Sequence, residues 1–141
     1  MSVHAMILCC LTALILVSCM KAKKEDKTLL LLEGELLLET GSKIDSAEIR
    51  VRILDVTRID ARSKVLAESI EFLSLHDSQK KIPFKVFGPA PDPAKSYIVV
   101  ATVSVEKNDG GKKTLHRTTQ SIPVLKGEEV GIVSIPLVKM D

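Results

Sequence analysis

The sequence has no tryptophan, one tyrosine and three phenylalanines, so its 45% hydrophobic content is almost entirely aliphatic. It has no excess of either charge: 20 basic and 18 acidic residues leave a net charge of +2, too balanced for a protein that grips nucleic acid electrostatically. A single long uncharged apolar stretch, residues 5–18, is too little for several membrane spans. At 27% charged residues the chain also lacks the charge load of a disordered protein. What remains for 141 residues is one small folded domain, about whose chemistry composition is silent.

Motifs for catalysis are equally scarce. Of the three histidines, His4 falls in the leader of the N-terminal apolar segment, and neither His76 nor His116 has a cysteine or second histidine at metal-ligand spacing. Asp55, Asp60 and Asp77 are the carboxylates that a fold would have to bring to a histidine. No G-x-S-x-G elbow is present to expose a nucleophilic serine. Gly110-Gly111-Lys112 falls short of a phosphate loop, because position 106, where its first glycine belongs, is Glu106. No internal repeat is visible. The expectation is a protein with no catalytic residue, no cofactor and no metal.

What the chain does have begins at its N-terminus. Residues 5–18, AMILCCLTALILVS, are uncharged and shorter than the roughly 20 residues of a membrane-crossing helix. They give way abruptly to the lysine-rich KAKKEDK at 21–27. That is the layout of a secretory signal, although the start, MSVH, has no lysine or arginine. The segment ends Leu16-Val17-Ser18-Cys19, which resembles the lipobox of bacterial lipoproteins. The resemblance implies cleavage between Ser18 and Cys19, with Cys19 carrying diacylglyceryl on sulfur and a further acyl group, such as palmitate, on its new amine. Met20 follows rather than Asp, which in that family favours passage by the lipoprotein sorting machinery to the outer membrane. Cys9 and Cys10 would leave with the signal, so the mature protein would form no disulfide. The expected organisation is a signal peptide over 1–18, a lipidated cysteine and polar tether over 19–28, and a folded domain over 29–141. Lys21, Lys23, Lys24 and Lys27 read as solvated tether.

The folded part alternates with period 2. Leu30, Leu32, Gly34, Leu36 and Leu38 share one face against Glu33, Glu35 and Glu39; Ile49, Val51 and Ile53 oppose Glu48, Arg50 and Arg52. Tyr97, Val99, Ala101, Val103 and Val105 form a third row, and Asn108-Asp109-Gly110-Gly111 marks a hairpin because these residues tolerate positive φ. Further strands fit 64–73, 81–87, 113–122 and 129–138. Gly34 and the all-round spread of leucine argue against a helix at 29–39. The run from Gly88 to Pro93, with Pro89 and Pro91 between, reads as an extended connection between sheets. Asp55 and Thr57 are placed to bond backbone N–H groups at a strand end, and Asp60 to support the next turn. Phe84 belongs inside by alternation, whereas Leu75 and Phe87, at element ends, are harder to place. The fold class is all-β, a single antiparallel β-sandwich of about seven strands.

Residues 47–68, AEIRVRILDVTRIDARSKVLAE, followed by 81–103, KIPFKVFGPAPDPAKSYIVVATV, resemble the YbaY/YscW lipoprotein family. The carrying features are Asp55-x-Thr57-x-x-Asp60-Ala61, then Lys64-Val65-Leu66-Ala67, then Pro83-Phe84, a proline-containing crossover and a strand opening at Tyr97. The resemblance implies a single-domain β-sandwich lipoprotein at the periplasmic face of the outer membrane. One branch of the family comprises the pilotins of type III secretion, which bind the C-terminal tail of a secretin subunit and carry it to the outer membrane, where its ring assembles. The other branch, YbaY-like envelope lipoproteins without a secretin client, can carry a long low-complexity tail; this chain ends with its last strand, which favours the pilotin branch. The implied partners are the secretin tail and outer-membrane lipid through acylated Cys19, with no nucleic acid. Recognition would need an exposed sheet edge for strand addition or an apolar groove for an amphipathic helix, and no short motif fixes the contacting residues.

Overall fold

The computed structural model describes residues 27–39, 41, 43–127 and 130–141. The expected signal at 1–18, the cleavage point at Ser18 and Cys19, and most of the tether lie outside them. Eight strands follow one another: β1 (Leu29–Leu38), β2 (Ile44–Asp55), β3 (Lys64–Leu75), β4 (Lys81–Gly88), β5 (Tyr97–Glu106), β6 (Lys112–Arg117), β7 (Ile122–Val124) and β8 (Gly131–Lys139). Their spatial order is β3-β2-β5-β6-β8-β1-β4, with β7 set beside β5. The sheet curls until its two terminal strands, β3 and β4, come close without pairing. The result is a nearly closed all-β structure, between a sandwich and a barrel.

Two details depart from a purely antiparallel seven-stranded sandwich. β1 and β8 pair in parallel, in register from Leu32 with Gly131 to Leu38 with Leu137. The strand expected over 113–122 is two strands, β6 and β7, each paired with its own part of β5. Between them Thr118 takes over the pairing at Ala101. Its hydroxyl accepts from the Ala101 N–H at 2.6 Å and donates to the Ala101 carbonyl at 3.0 Å. A side chain satisfies what a continuous ladder would have bonded. After β7, Leu125 adopts a positive φ of 58°, which ends the strand while its side chain packs against the core.

The interior follows from the alternation. Ile49, Val51 and Ile53 of β2 and Val99, Ala101 and Val103 of β5 are all buried. Among the described core residues only Phe84 and Tyr97 are aromatic. β1 carries a bulge between Leu30 and Leu32, so Leu31 turns inward with Leu32, and Leu30 drops out of the expected row. Gly34 is required by a close approach: a Cβ there would run into the carbonyl of Val133 on β8. The hairpin after β5 forms as read. The Gly110 N–H donates to the Lys107 carbonyl at 3.0 Å with Gly110 at φ 80°, and the Gly111 N–H donates to Asp109 Oδ1 at 2.8 Å.

On the outer face of β2, Glu48 is buried beneath cations. Arg50 lies 3.0 Å from it, and Lys112 of β6 also pairs with it. The hydrogen bond from Lys112 comes first in holding this carboxyl below its usual range, outweighing the opposing effect of burial.

Candidate partner-binding surface

β3 and β4 are consecutive and run in opposite directions, yet neither pairs with the other: β3 pairs with β2, and β4 with β1. At one end the strands touch, since a Cβ on Gly88 would meet Ala67 Cβ at 2.7 Å. Farther along they diverge. Register places Ser69 opposite Val51 and Glu71 opposite Ile49, so both share the face of the core residues. Polar side chains there leave the seam without an apolar closure. The other phase of β3 carries Ile70 and Phe72, which are 43% and 67% exposed.

The divergence leaves a groove of about 860 Å³, bordered by Ser69, Ile70 and Glu71 of β3, Pro83 to Lys85 and Phe87 of β4, and parts of β1 and β8. Phe87 is 52% exposed and Ile132 of β8 84%. Carboxylates from Glu33, Glu35 and Glu71 stand around these apolar groups, and Lys85 lies 3.8 Å from Glu33. Lys81 lies 3.3 Å from Glu35, so of the three carboxylates only Glu71 makes no salt bridge among the described residues, and apolar contact beside that one carboxylate suits a peptide with apolar anchors and a basic residue. Pro83 fits an edge strand because it offers no N–H to a ladder.

The groove residues were hard to single out from sequence. Along 69–72 polar and apolar residues alternate, but only the pairing with β2 reveals that Ile70 and Phe72 are in the outward phase. Phe84 is buried as expected; Leu75 is buried and Phe87 exposed, which settles the two uncertain positions.

At the end of the sheet where β2 finishes, Asp55 and Thr57 do what their spacing implied. Asp55 Oδ1 accepts from the Thr57 hydroxyl at 2.6 Å and the Thr57 N–H at 3.0 Å, and Thr57 Oγ1 accepts from the Ser96 N–H at 3.0 Å. Lys95 lies 3.0 Å from Asp55 Oδ2. The Thr57 hydroxyl, then its N–H, then Lys95 hold the Asp55 carboxyl down to about 2. Asp60 is exposed and makes no side-chain hydrogen bond among the described residues, so its expected turn-supporting bond is not there. The proline run leads from β4 into β5, and the Asp92 N–H donates to the Tyr97 hydroxyl at 3.0 Å. A second cavity, about 760 Å³, lies between that run and the segment after β7, lined by Pro91, Tyr97 and Leu125 among others. Two of its lining residues, Pro123 and Val124, belong to β7, which pairs on one side only, but it borders none of the strongly exposed large apolar side chains.

The histidines are far from equivalent. His76 is exposed in the connection between β3 and β4. His116 is 1% exposed, and neither ring nitrogen has a hydrogen-bond partner among the described residues. No group of three metal-ligating side chains occurs among the described residues.

No family model matches the sequence, and no curated protein matches it. Among solved structures the chain is similar to an alternative pilotin from the type II secretion system of Vibrio cholerae, at 20% identity and a TM-score of 0.65. The match covers 82% of this chain and 99% of that one. At that identity the likeness is one of fold: the all-β architecture is shared with that protein.

Proposed function

We propose that this chain is a pilotin: an outer-membrane lipoprotein, anchored at the periplasmic face through acylated Cys19, that binds the C-terminal tail of a secretin subunit and promotes its targeting and ring assembly. The observation that carries the reading is the shared fold with the Vibrio cholerae pilotin over 99% of that protein's length. The resemblance of residues 47–68 and 81–103 to the YbaY/YscW family directs the proposal to a type III secretin. The role is recognition and carriage, with no bond made or broken. The open seam between β3 and β4 supplies the surface, with Ile70 and Phe87 as apolar anchors and the carboxylate of Glu71 beside them favouring a basic residue.

The test is a pull-down of residues 20–141 against C-terminal peptides of secretins from the same cell. Saturable binding to one tail, weakened at least tenfold by Ile70→Asp with Phe87→Asp, supports the reading; both positions are exposed, so the fold should survive. Absence of binding to every tail by a folded domain would replace it with the general envelope lipoprotein of the YbaY kind. In cells, Cys19→Ser should leave the fold intact and misplace the secretin.

A further inference from the structure

Ile59 is the most exposed large apolar side chain among the described residues, at 101% of its reference area. It sits at the tip of the turn joining β2 to β3, flanked by Arg58 and Asp60. Beside it is a concavity of about 310 Å³ lined by Asp55, Thr57, Arg58, Ala61, Arg62, Lys64 and Lys95. Of the four cations there, Lys95 is paired with Asp55, which Thr57 also occupies, and Arg58, Arg62 and Lys64 make no salt bridge among the described residues. A lone exposed isoleucine is unremarkable. One at the tip of a turn, backed by a cationic hollow, matches the chemistry of an element that lies in a membrane interface.

Its position adds an independent reason. Leu29, the first residue of β1, pairs with Gly88; Gly88 abuts Ala67; Lys64 pairs with Asp55. The end from which the chain runs back toward Cys19 is therefore the end that carries the β2–β3 turn. The hairpin at 107–111 lies at the opposite end, about 30 Å away along a ten-residue strand such as β1. Between Cys19 and Thr28 the backbone reaches no more than about 30 Å, so an acylated Cys19 would hold this end close to the bilayer.

We propose that the β2–β3 turn is a second membrane contact: Ile59 enters the headgroup region of an anionic phospholipid surface while Arg58, Arg62 and Lys64 meet its phosphates. The orientation rests on the anchoring at Cys19 proposed above. Such a contact would hold the domain at one tilt to the bilayer instead of leaving it to swing on its tether.

Because the chain has no tryptophan, a single one can report on each end. Full chains carrying Ile59→Trp, or Asn108→Trp in the far hairpin, are recovered from bacterial membranes and reconstituted in phosphatidylethanolamine vesicles containing a minority of phosphatidylglycerol. The reporter at position 59 should emit at shorter wavelength and be quenched by brominated acyl chains; that at 108 should remain water-like. Charge reversal by Arg58→Glu and Arg62→Glu should cut the membrane-contacting fraction by about fivefold per cation removed, as should replacing phosphatidylglycerol with a zwitterionic lipid. Equal quenching at both positions, or indifference to lipid charge and to the reversals, would overturn the proposal. The acyl mass on Cys19, read from the same samples, tests the anchor separately. An acylated chain with no contrast between positions sinks the turn alone, and an unmodified Cys19 sinks the anchor while the quenching contrast still decides the turn.

Discussion

Replacing His116 by leucine should stabilise the protein near neutral pH and remove a loss of stability on acidification. The ring is buried on β6 with Val103 of β5 and Lys139 of β8 as its register partners, and neither nitrogen is bonded among the described residues. A buried polar group without a partner costs about 1–3 kcal/mol, and a similar-sized apolar replacement costs under about 1.5 kcal/mol in misfit. The expected net gain is therefore about 1 kcal/mol. Burial holds the imidazole below its ordinary 6.5; Lys139 acts in the same direction, and Glu39 opposes both. The unfolded chain thus takes up the proton at a higher pH than the native one. Stability is fully present above 6.5 and falls as pH drops below it, by at most about 1.4 kcal/mol per pH unit. Urea unfolding of residues 20–141 near neutrality and at about pH 5 would measure both effects, since this is the range in which an imidazole titrates. An identical acid loss in the leucine variant would show that another group titrates. A leucine variant weakened by more than about 2 kcal/mol at neutral pH would show that the ring nitrogens do hold bonds worth keeping.

Three further outcomes follow from the same contacts. Asp55→Asn should speed amide exchange at Thr57 and Ser96. It should also remove a stabilisation that in the native protein is present above 3.8 and lost as pH falls toward about 2; unchanged exchange would mean that the Asp55–Thr57 bonds do not order this end. Gly34→Val should cost at least about 1–3 kcal/mol in urea unfolding, with the amides between β1 and β8 the first to lose protection, because the new side chain meets the Val133 backbone. Ser69→Val with Glu71→Val should raise stability by about 1 kcal/mol per position by giving the inner phase of β3 an apolar surface, and should weaken binding of a secretin tail. Stronger tail binding by that double variant would place the partner elsewhere than in the seam.

The alternation made most strands legible because each buries one face, and a slip of one residue would turn Ile49, Val51 and Ile53 out to water. The hairpin at 107–111 was legible because its residues suit positive φ whatever surrounds them. The bonds of Asp55 to Thr57 span two residues, so spacing was enough for them, whereas the bond of Thr57 to the Ser96 N–H reaches 39 residues along the chain and left no local mark. The parallel pairing of β1 with β8 was beyond reach, since alternation defines a strand's faces but not its neighbours. The bulge at Leu31 was hidden for a related reason: in a run of four leucines a change of phase leaves no mark. The groove was the least legible part. Its anchors, Ile70, Phe87 and Ile132, come from three strands, β3, β4 and the far later β8, and they read as surface only once the ladders are assigned.

The seam itself answers a question of connectivity. β3 and β4 are joined by residues 76–80, short enough for a hairpin, and consecutive strands are usually neighbours. Here each strand pairs with an earlier one, β3 with β2 and β4 with β1, so the two ladders meet at their unpaired edges. Gly88 against Ala67 fixes one end of the meeting, and the connection fixes the other, where the Leu38 N–H donates to the Lys80 carbonyl at 2.8 Å. Between those points Ser69 and Glu71 stand where closing side chains would be needed. An opening pinned at both ends requires no unfolding to receive a partner, so little ordering energy is lost on association. An unguarded sheet edge is also a hazard, and the charges on the two edge strands, Glu71 on β3 with Lys81 and Lys85 on β4, oppose indiscriminate strand addition. In the proposed role, Glu71 would thus both favour a basic residue in the client and discourage an acidic one.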